Sequence, residues 1–356
     1  MKKRILAVLI ATALAVSVTG CAGNATSSSD STSASSVAES SDTSTQTSAD
    51  ASSEDESKDE SSQEESKDLE ANYTKYTLDG DLTQHMIDMS RLNEGNKVRL
   101  ANVIKKLKNG EEVTVGFIGG SITQGTSAGN DLCYAKLTAD WLQKTYSNAK
   151  INYVNAGIGA TGSYIGVHRV ANDLLSKNPD LVFVEFSVND TTENTERNKK
   201  SYDGLLRTIW KSSTNPAIIT IATTQEDGTS FQDQHAEIVK HYDLPMISYR
   251  NTILDTIKHG DIVWKDISDD NIHPNVPGHK IVSQLLQAYI SDVDKDVDNI
   301  SGSESDFTTP ATDAPIENGS LIQPSSATDV TATGAFGNYE QQFGGFDGFW
   351  LFKATS

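Results

Sequence analysis

A parallel α/β sheet covered by helices on both faces is the fold class this sequence predicts. Three observations carry it. Short apolar runs recur between Val113 and Ser248. They are near-continuous rather than alternating, as strands buried on both faces are. Stretches with helical apolar spacing separate them, and strand–helix alternation builds a three-layer α/β/α sandwich. The part that carries this rhythm, residues 73–297, is roughly the size of one such domain.

The chain does not begin there. Lys2, Lys3 and Arg4 form a basic start, and Ile5–Val18 is an apolar run too short for a comfortable membrane span. Residues 1–20 therefore predict an export signal. The junction Val18-Thr19-Gly20-Cys21 resembles a bacterial lipoprotein signal, cut before a cysteine that is then lipidated. This implies a chain held by acyl chains at Cys21 on the outer face of a bacterial membrane. A plain signal peptide or an uncleaved anchor is the alternative. Residues 21–72 are rich in Ser, Thr, Ala, Glu and Asp, with almost no large apolar side chains. Such a stretch cannot bury enough surface to offset its ordering entropy, so a disordered spacer is expected.

Within the domain, Leu100, Val103, Ile104 and Leu107 mark one helix face, ended by Asn109-Gly110. The strand Val113–Ile118 runs into Gly119-Gly120-Ser121. Helix 132–146 leads to strand 151–155, helix 164–176 to strand 181–186, and helix 199–211 to strand 217–222. Helix 231–241 leads to a short strand at 245–248, and a last helix runs from Pro277 to about Ile290. Residues 298–329 are again Ser/Thr/Asp/Pro-rich and predict a linker. Residues 330–356 turn aromatic and glycine-rich with strand-like pieces. They are too short for a β-domain alone. They either pack on the main domain or begin a carbohydrate-binding-type β-sandwich left incomplete; the second is preferred.

Composition bounds the partners. The 356 residues carry a formal net charge of −20. That argues against nucleic acid and anionic membrane surfaces, although the acidic spacer supplies part of it. The two cysteines, Cys21 and Cys133, predict no disulfide framework.

Four blocks fall in loops after successive strands. They are Gly119–Thr123, Asn155–Gly159, Ser187–Asp190 and Asp270–Pro274. In a parallel sheet such loops share one edge and can converge. A serine needs a base within hydrogen-bond reach to become a nucleophile. His273 can take the Ser121 proton and return it to a leaving alcohol. Asp270 can hold the other ring nitrogen. The oxyanion of acyl transfer needs donors. Candidates are the backbone N–H of Ser121, that of Gly157, and the Asn189 carboxamide.

These four blocks resemble those of the SGNH/GDSL hydrolase superfamily, named for a serine, a glycine, an asparagine and a histidine. The matching residues are Ser121, Gly157, Asn189 and His273, with the Asp-x-x-His pair as Asp270 and His273. The resemblance spans roughly residues 113–290. It implies a flavodoxin-like sandwich and ester hydrolysis through an acyl-enzyme, with no metal or organic cofactor. One departure stands out. The superfamily usually has aspartate before the nucleophile, where this chain has Gly120, and Ile122-Thr123 replaces a leucine. This bears on subgroup and substrate rather than on the reaction. The GGSIT variant resembles secreted bacterial carbohydrate esterases.

The bland readings of nearby residues are kept beside these. Of seven histidines, His279 is the one rival to His273, and it lacks an acidic residue three positions before it. Asp266 and Asp269 rival Asp270 but miss the spacing. Asp190 and Glu185 read as polar support, and Cys133 as a buried structural thiol. Gly119-Gly120 and Gly157-x-Gly159 fit neither the P-loop nor the dinucleotide pattern. No His/Cys/Asp group has metal-ligand spacing. The expectation is a serine esterase that removes small acyl groups, acetyl foremost, from carbohydrate at the cell surface. A lipid or lysophospholipid esterase of the same mechanism, and a non-catalytic binding protein on an esterase scaffold, stand as alternatives.

Overall fold

The structure is a computed structural model. It describes residues 73–191, 194–317 and 319, and the backbone of 336–343 and 346–354. The expected signal 1–20, Cys21 and the spacer 21–72 lie outside the described residues, as do most of residues 318–335.

Six strands form the main sheet. They are β1 Arg91–Asn93, β2 Glu112–Gly119, β3 Lys150–Gly157, β4 Leu181–Glu185, β5 Ala217–Ala222 and β6 Met246–Ser248. Their order is β1-β6-β5-β4-β2-β3. All pairs are parallel except β1 with β6. The chain steps from β2 outward to β3, then returns to the other side of β2 as β4. That reversal is where an open α/β sheet leaves a crevice at the carboxyl ends of its strands. The three-layer expectation holds, with a short antiparallel edge strand added.

Successive residues on each strand face opposite layers. Val113, Val115 and Phe117 of β2 join Leu181 and Phe183 of β4 on one side. There they meet helices α2 (Val98–Lys108), α4 (Tyr134–Thr145) and α10 (Val276–Lys295). Val182, Val184 and Phe186 join Ile118 and Ile218 on the other. There the cover is α5 (Ser163–Asp173), α6 (Thr195–Trp210) and α7 (Gln232–His241). Both layers are buried, which is why the strands read as unbroken apolar runs.

Four helices escaped the sequence reading. They are α1 (Gln84–Ser90), a single turn α3 (Ser121–Gln124), α8 (Tyr249–Lys258) and the turn α9 (Trp264–Ile267). Among the described residues, no helix is long and apolar enough to cross a membrane. The tail carries an antiparallel pair, β7 (Phe336–Phe343) and β8 (Phe346–Ala354).

The stretch expected to begin a linker at 298 behaves otherwise. Residues 301–317 have no helix or strand, yet they pack along α6 and α7 as a strap. The Phe307 ring lies between Trp210 and Tyr242, with centroids 4.5 and 3.9 Å away. Asp203 accepts from the Thr312 N–H at 2.7 Å, and Arg207 and Lys211 both pair with Glu317. Gly204 has no side chain because the Ile316 carbonyl occupies the place: a Cβ there would lie 1.9 Å from that oxygen.

Candidate active site

β2 ends at Gly119, and the chain turns at Gly120 into α3, so Ser121 stands at the first helical position. A helix leaves the N–H groups of its first turn without intrahelical acceptors. The Ser121 N–H is one of these, and it lies just past the carboxyl end of β2.

Ser121 Oγ lies 2.9 Å from His273 Nε2. His273 Nδ1 lies 2.8 Å from Asp270 Oδ2. The remaining oxygen, Asp270 Oδ1, accepts the backbone N–H groups of Ile272 at 2.7 Å and His273 at 2.6 Å. Partial burial alone would raise this carboxyl. The hydrogen bonds from His273 and Ile272 outweigh it and hold it down to about 2. Asp270 is therefore held in its carboxylate form near neutral pH. The loop is fixed from below. Trp264 Nε1–H donates to the Asp270 carbonyl at 2.6 Å, and Ser268 Oγ lies 2.6 Å from the His273 carbonyl. A neutral His273 whose Nδ1–H faces Asp270 presents a lone pair on Nε2 to the serine hydroxyl.

Asn189 follows β4 and lies against the serine turn. A Cβ on Gly120 would sit 1.9 Å from its Oδ1. In this chain, then, the carboxamide takes the space that a side chain at position 120 would need.

Gly157 departs from expectation. Its N–H donates to Asn155 Oδ1 at 2.8 Å. Its missing side chain makes room for α3, since a Cβ would lie 2.3 Å from the Gln124 nitrogen. The N–H expected to be open is thus engaged in this structure, and the missing side chain serves the close approach of α3. The glycine beside the nucleophile is Gly159, whose Cβ position is 3.8 Å from Ser121 Cβ. Its N–H donates to Gln124 Oε1 at 2.9 Å. The signal was present in the spacing. Gly157 is the last residue of β3, whereas Gly159 lies two beyond, where the chain has turned over the sheet edge.

Arg169 beside the site was invisible to spacing, whereas Asp190 and Glu185 take the supporting role expected of them. Arg169 on α5 is 1% exposed. Its Nη1 donates to the Ala156 carbonyl at 2.6 Å and its Nη2 to the Gly119 carbonyl at 3.0 Å. One guanidinium thus ties the carboxyl ends of β2 and β3 together. Asp190 receives the Ser163 N–H on Oδ1 and pairs with His235 on Oδ2, at 2.8 and 2.9 Å. It anchors the loop that carries Asn189. Glu185, fully buried at the end of β4, accepts from Thr223 at 2.7 Å and Ser187 at 3.3 Å. Its burial prevails over these bonds and pushes it up to about 7.

The rivals fall away. His279 is buried, accepts the Tyr134 N–H on Nδ1 at 3.1 Å, and is pushed down to about 4 by desolvation. Asp266 accepts the Val263 N–H, and Asp269 lies 3.5 Å from Asn275 Nδ2, so neither reaches His273. Cys133 is buried at the N-cap of α4, with its sulfur 3.8 Å from the Tyr153 hydroxyl.

The model of the GDSL-like lipase/acylhydrolase family matches residues 117–281, from the nucleophile strand to the last helix. A crystal structure of a two-domain esterase, CEX, active on acetylated mannans is 35% identical with a TM-score of 0.69. That match covers 74% of this chain and 71% of the other. The chain belongs to the GDSL-like lipase/acylhydrolase family. The same esterase co-crystallised with mannopentaose is 36% identical with a TM-score of 0.65, covering 71% of this chain and 66% of that one. This GDSL-like acylhydrolase thus spans about two thirds of the length of these relatives. No curated protein matches it. It is a carboxylic ester hydrolase of the SGNH type, and Ser121, Asn189, Asp270 and His273 all fall inside the matched span.

Proposed function

We propose that this hydrolase removes O-acetyl groups from carbohydrate through an acyl-enzyme on Ser121. The observation that carries the reading is the unbroken chain from Ser121 Oγ through His273 to Asp270. Ser121 Oγ attacks the ester carbonyl carbon while its proton passes to His273 Nε2. The tetrahedral oxyanion collapses, the sugar oxygen takes that proton, and the sugar leaves with its hydroxyl restored. A water molecule then gives a proton to the same nitrogen and attacks the acetyl-serine. Acetate departs, and Ser121 recovers its proton. Asp270 holds the ring orientation and stabilises the imidazolium in both halves.

The oxyanion is met by the Ser121 N–H and the Asn189 carboxamide. The third donor is assigned to Gly159 rather than Gly157 because its Cβ position lies 3.8 Å from Ser121 Cβ, although both N–H groups have an acceptor here. The Gly159 N–H exchanges the Gln124 oxygen for the substrate oxygen. The carbohydrate reading is supported by the two-domain esterase relative, which is active on acetylated mannans. The pair β7–β8 is read as part of a carbohydrate-binding β module, and lipidated Cys21 as the tether to the outer membrane face.

Acetate release from acetylated mannan, acetylated xylan and an aryl acetate tests this, with Ser121→Ala alongside. Serine-dependent release from mannan is expected. Release from the aryl acetate alone would leave the mechanism and remove the carbohydrate substrate. Near-normal turnover by Ser121→Ala would overturn the mechanism itself. Loss of palmitate labelling in Cys21→Ala cells tests the tether, and unchanged labelling would refute it.

A further inference from the structure

His85, Asp255 and His259 form a second cluster, and their donor atoms all lie within 4.8 Å of one another. We infer that they form a divalent transition-metal site of the zinc type, which fastens α1 to the end of α8.

Asp255 and His259 are four residues apart at the end of α8, the spacing that sets two ligands on one helix face. His85 comes from α1, which is capped by Thr83 and packs across α8. Its Nε2 is 2.6 Å from Asp255 Oδ2, and His259 Nδ1 is 3.2 Å from the same oxygen. The three side chains are 4%, 15% and 22% exposed, so the site is enclosed but reachable. Tyr73 closes one side. Its ring stacks on His259 at 4.1 Å and meets the His85 ring edge-on at 5.3 Å.

The donor set selects the ion. Two imidazole nitrogens and one carboxylate suit zinc, with a fourth position for water, whereas magnesium and calcium prefer all-oxygen ligation. Tetrahedral zinc at about 2.0–2.1 Å from each ligand sets ligand atoms roughly 3.4 Å apart. The His259–Asp255 separation is near this. The His85–Asp255 pair opens by less than an ångström through rotation of the Asp255 carboxylate. His259 Nδ1 also lies 2.9 Å from the Asp255 carbonyl, and a bound metal takes the place of that contact. The spacing alone could not show the site, because His85 and Asp255 are 170 positions apart.

The role is structural. α8 begins where β6 ends at the carboxyl edge and runs about 15 Å back along the sheet, so its last turn is remote from Ser121. The metal would join that turn to the segment at which the folded domain starts.

The test is zinc binding by the metal-free full-length chain, read by competition with a chromogenic chelator and by elemental analysis. About one equivalent is expected, with a rise in Tm of roughly 5 °C at a hundredfold excess over Kd. Asp255→Asn and His259→Gln should each lose both. His273→Ala should keep both, which separates this site from the Asp270–His273 pair. His259→Gln guards against misfolding of the more buried variant, since His259 caps the helix and is the most exposed ligand. No stoichiometric zinc, or zinc retained by both cluster variants, would overturn the inference.

Discussion

Asn189, the proposed oxyanion donor, also governs its neighbours. Its carboxamide oxygen takes the space of a side chain at Gly120. Restoring the superfamily's usual residue with Gly120→Asp therefore drives Asn189 out of place. Aryl acetate hydrolysis should fall by about 10²-fold or more in kcat, comparable with loss of an oxyanion donor. Asn189→Ala should lose about 10²–10³ in kcat with a folded protein, as its thermal melt would check. Arg169 is the other residue with reach beyond itself. Its guanidinium caps the carbonyls just before Gly120 and Gly157 in one plane, which a lysine ammonium cannot do. Arg169→Lys should lower kcat by roughly tenfold or more with KM little changed, because a misplaced nucleophile costs rate rather than binding. Equal losses in KM and none in kcat would refute that positioning role.

At the scale of elements, what was legible followed burial. β5 appears at its expected limits, Ala217–Ala222, because every residue in it is buried and all but Thr220 are apolar. The triad was legible for another reason. Asp270 and His273 are a local pair, and the parallel topology carries Ser121 to them across the sheet edge. Other elements left weaker traces. α8 buries Tyr249, Thr252, Ile253 and Thr256, so half its inner face is polar and its period is faint. Gly157 was expected to offer an open N–H, and sequence shows a glycine but not the Asn155 oxygen which that N–H meets. The strap was misread because it is held largely by polar and backbone bonds, which hydropathy does not register. Phe307 is its one buried large apolar side chain among the described residues, with Ile316 half-buried beside it. Phe307→Ala should cost about 3–5 kcal/mol and lower Tm by roughly 10 °C, measurable by calorimetry. A shift within error would mean the strap is not part of the domain.

The whole molecule carries two buried ionisable groups that pull stability in opposite directions with pH. Glu185 is raised from its reference near 4.5 to about 7, so the native state holds its proton more tightly than the unfolded chain. Stability from this group is complete below pH 4.5 and declines as pH rises to 7, by on the order of 3 kcal/mol. His279 is lowered to about 4 from 6.5, so its contribution is complete above pH 6.5 and declines as pH falls to 4. Between pH 4.5 and 6.5 the two slopes oppose each other. Denaturant titrations of Glu185→Gln should lose the alkaline decline and keep the acid one. A variant with both limbs unchanged would show that Glu185 is not the group responsible.

The strap also fixes the order in which the molecule can be finished during synthesis. Ser121, Asn189, Asp270 and His273 are all made before Phe307, and they can meet as soon as α10 has left the ribosome. The Trp210–Tyr242 face then stays open to water until Phe307 follows it out of the exit tunnel. For that interval the nascent chain has an assembled catalytic edge and an unsealed flank, the kind of transiently exposed apolar surface that chaperones bind.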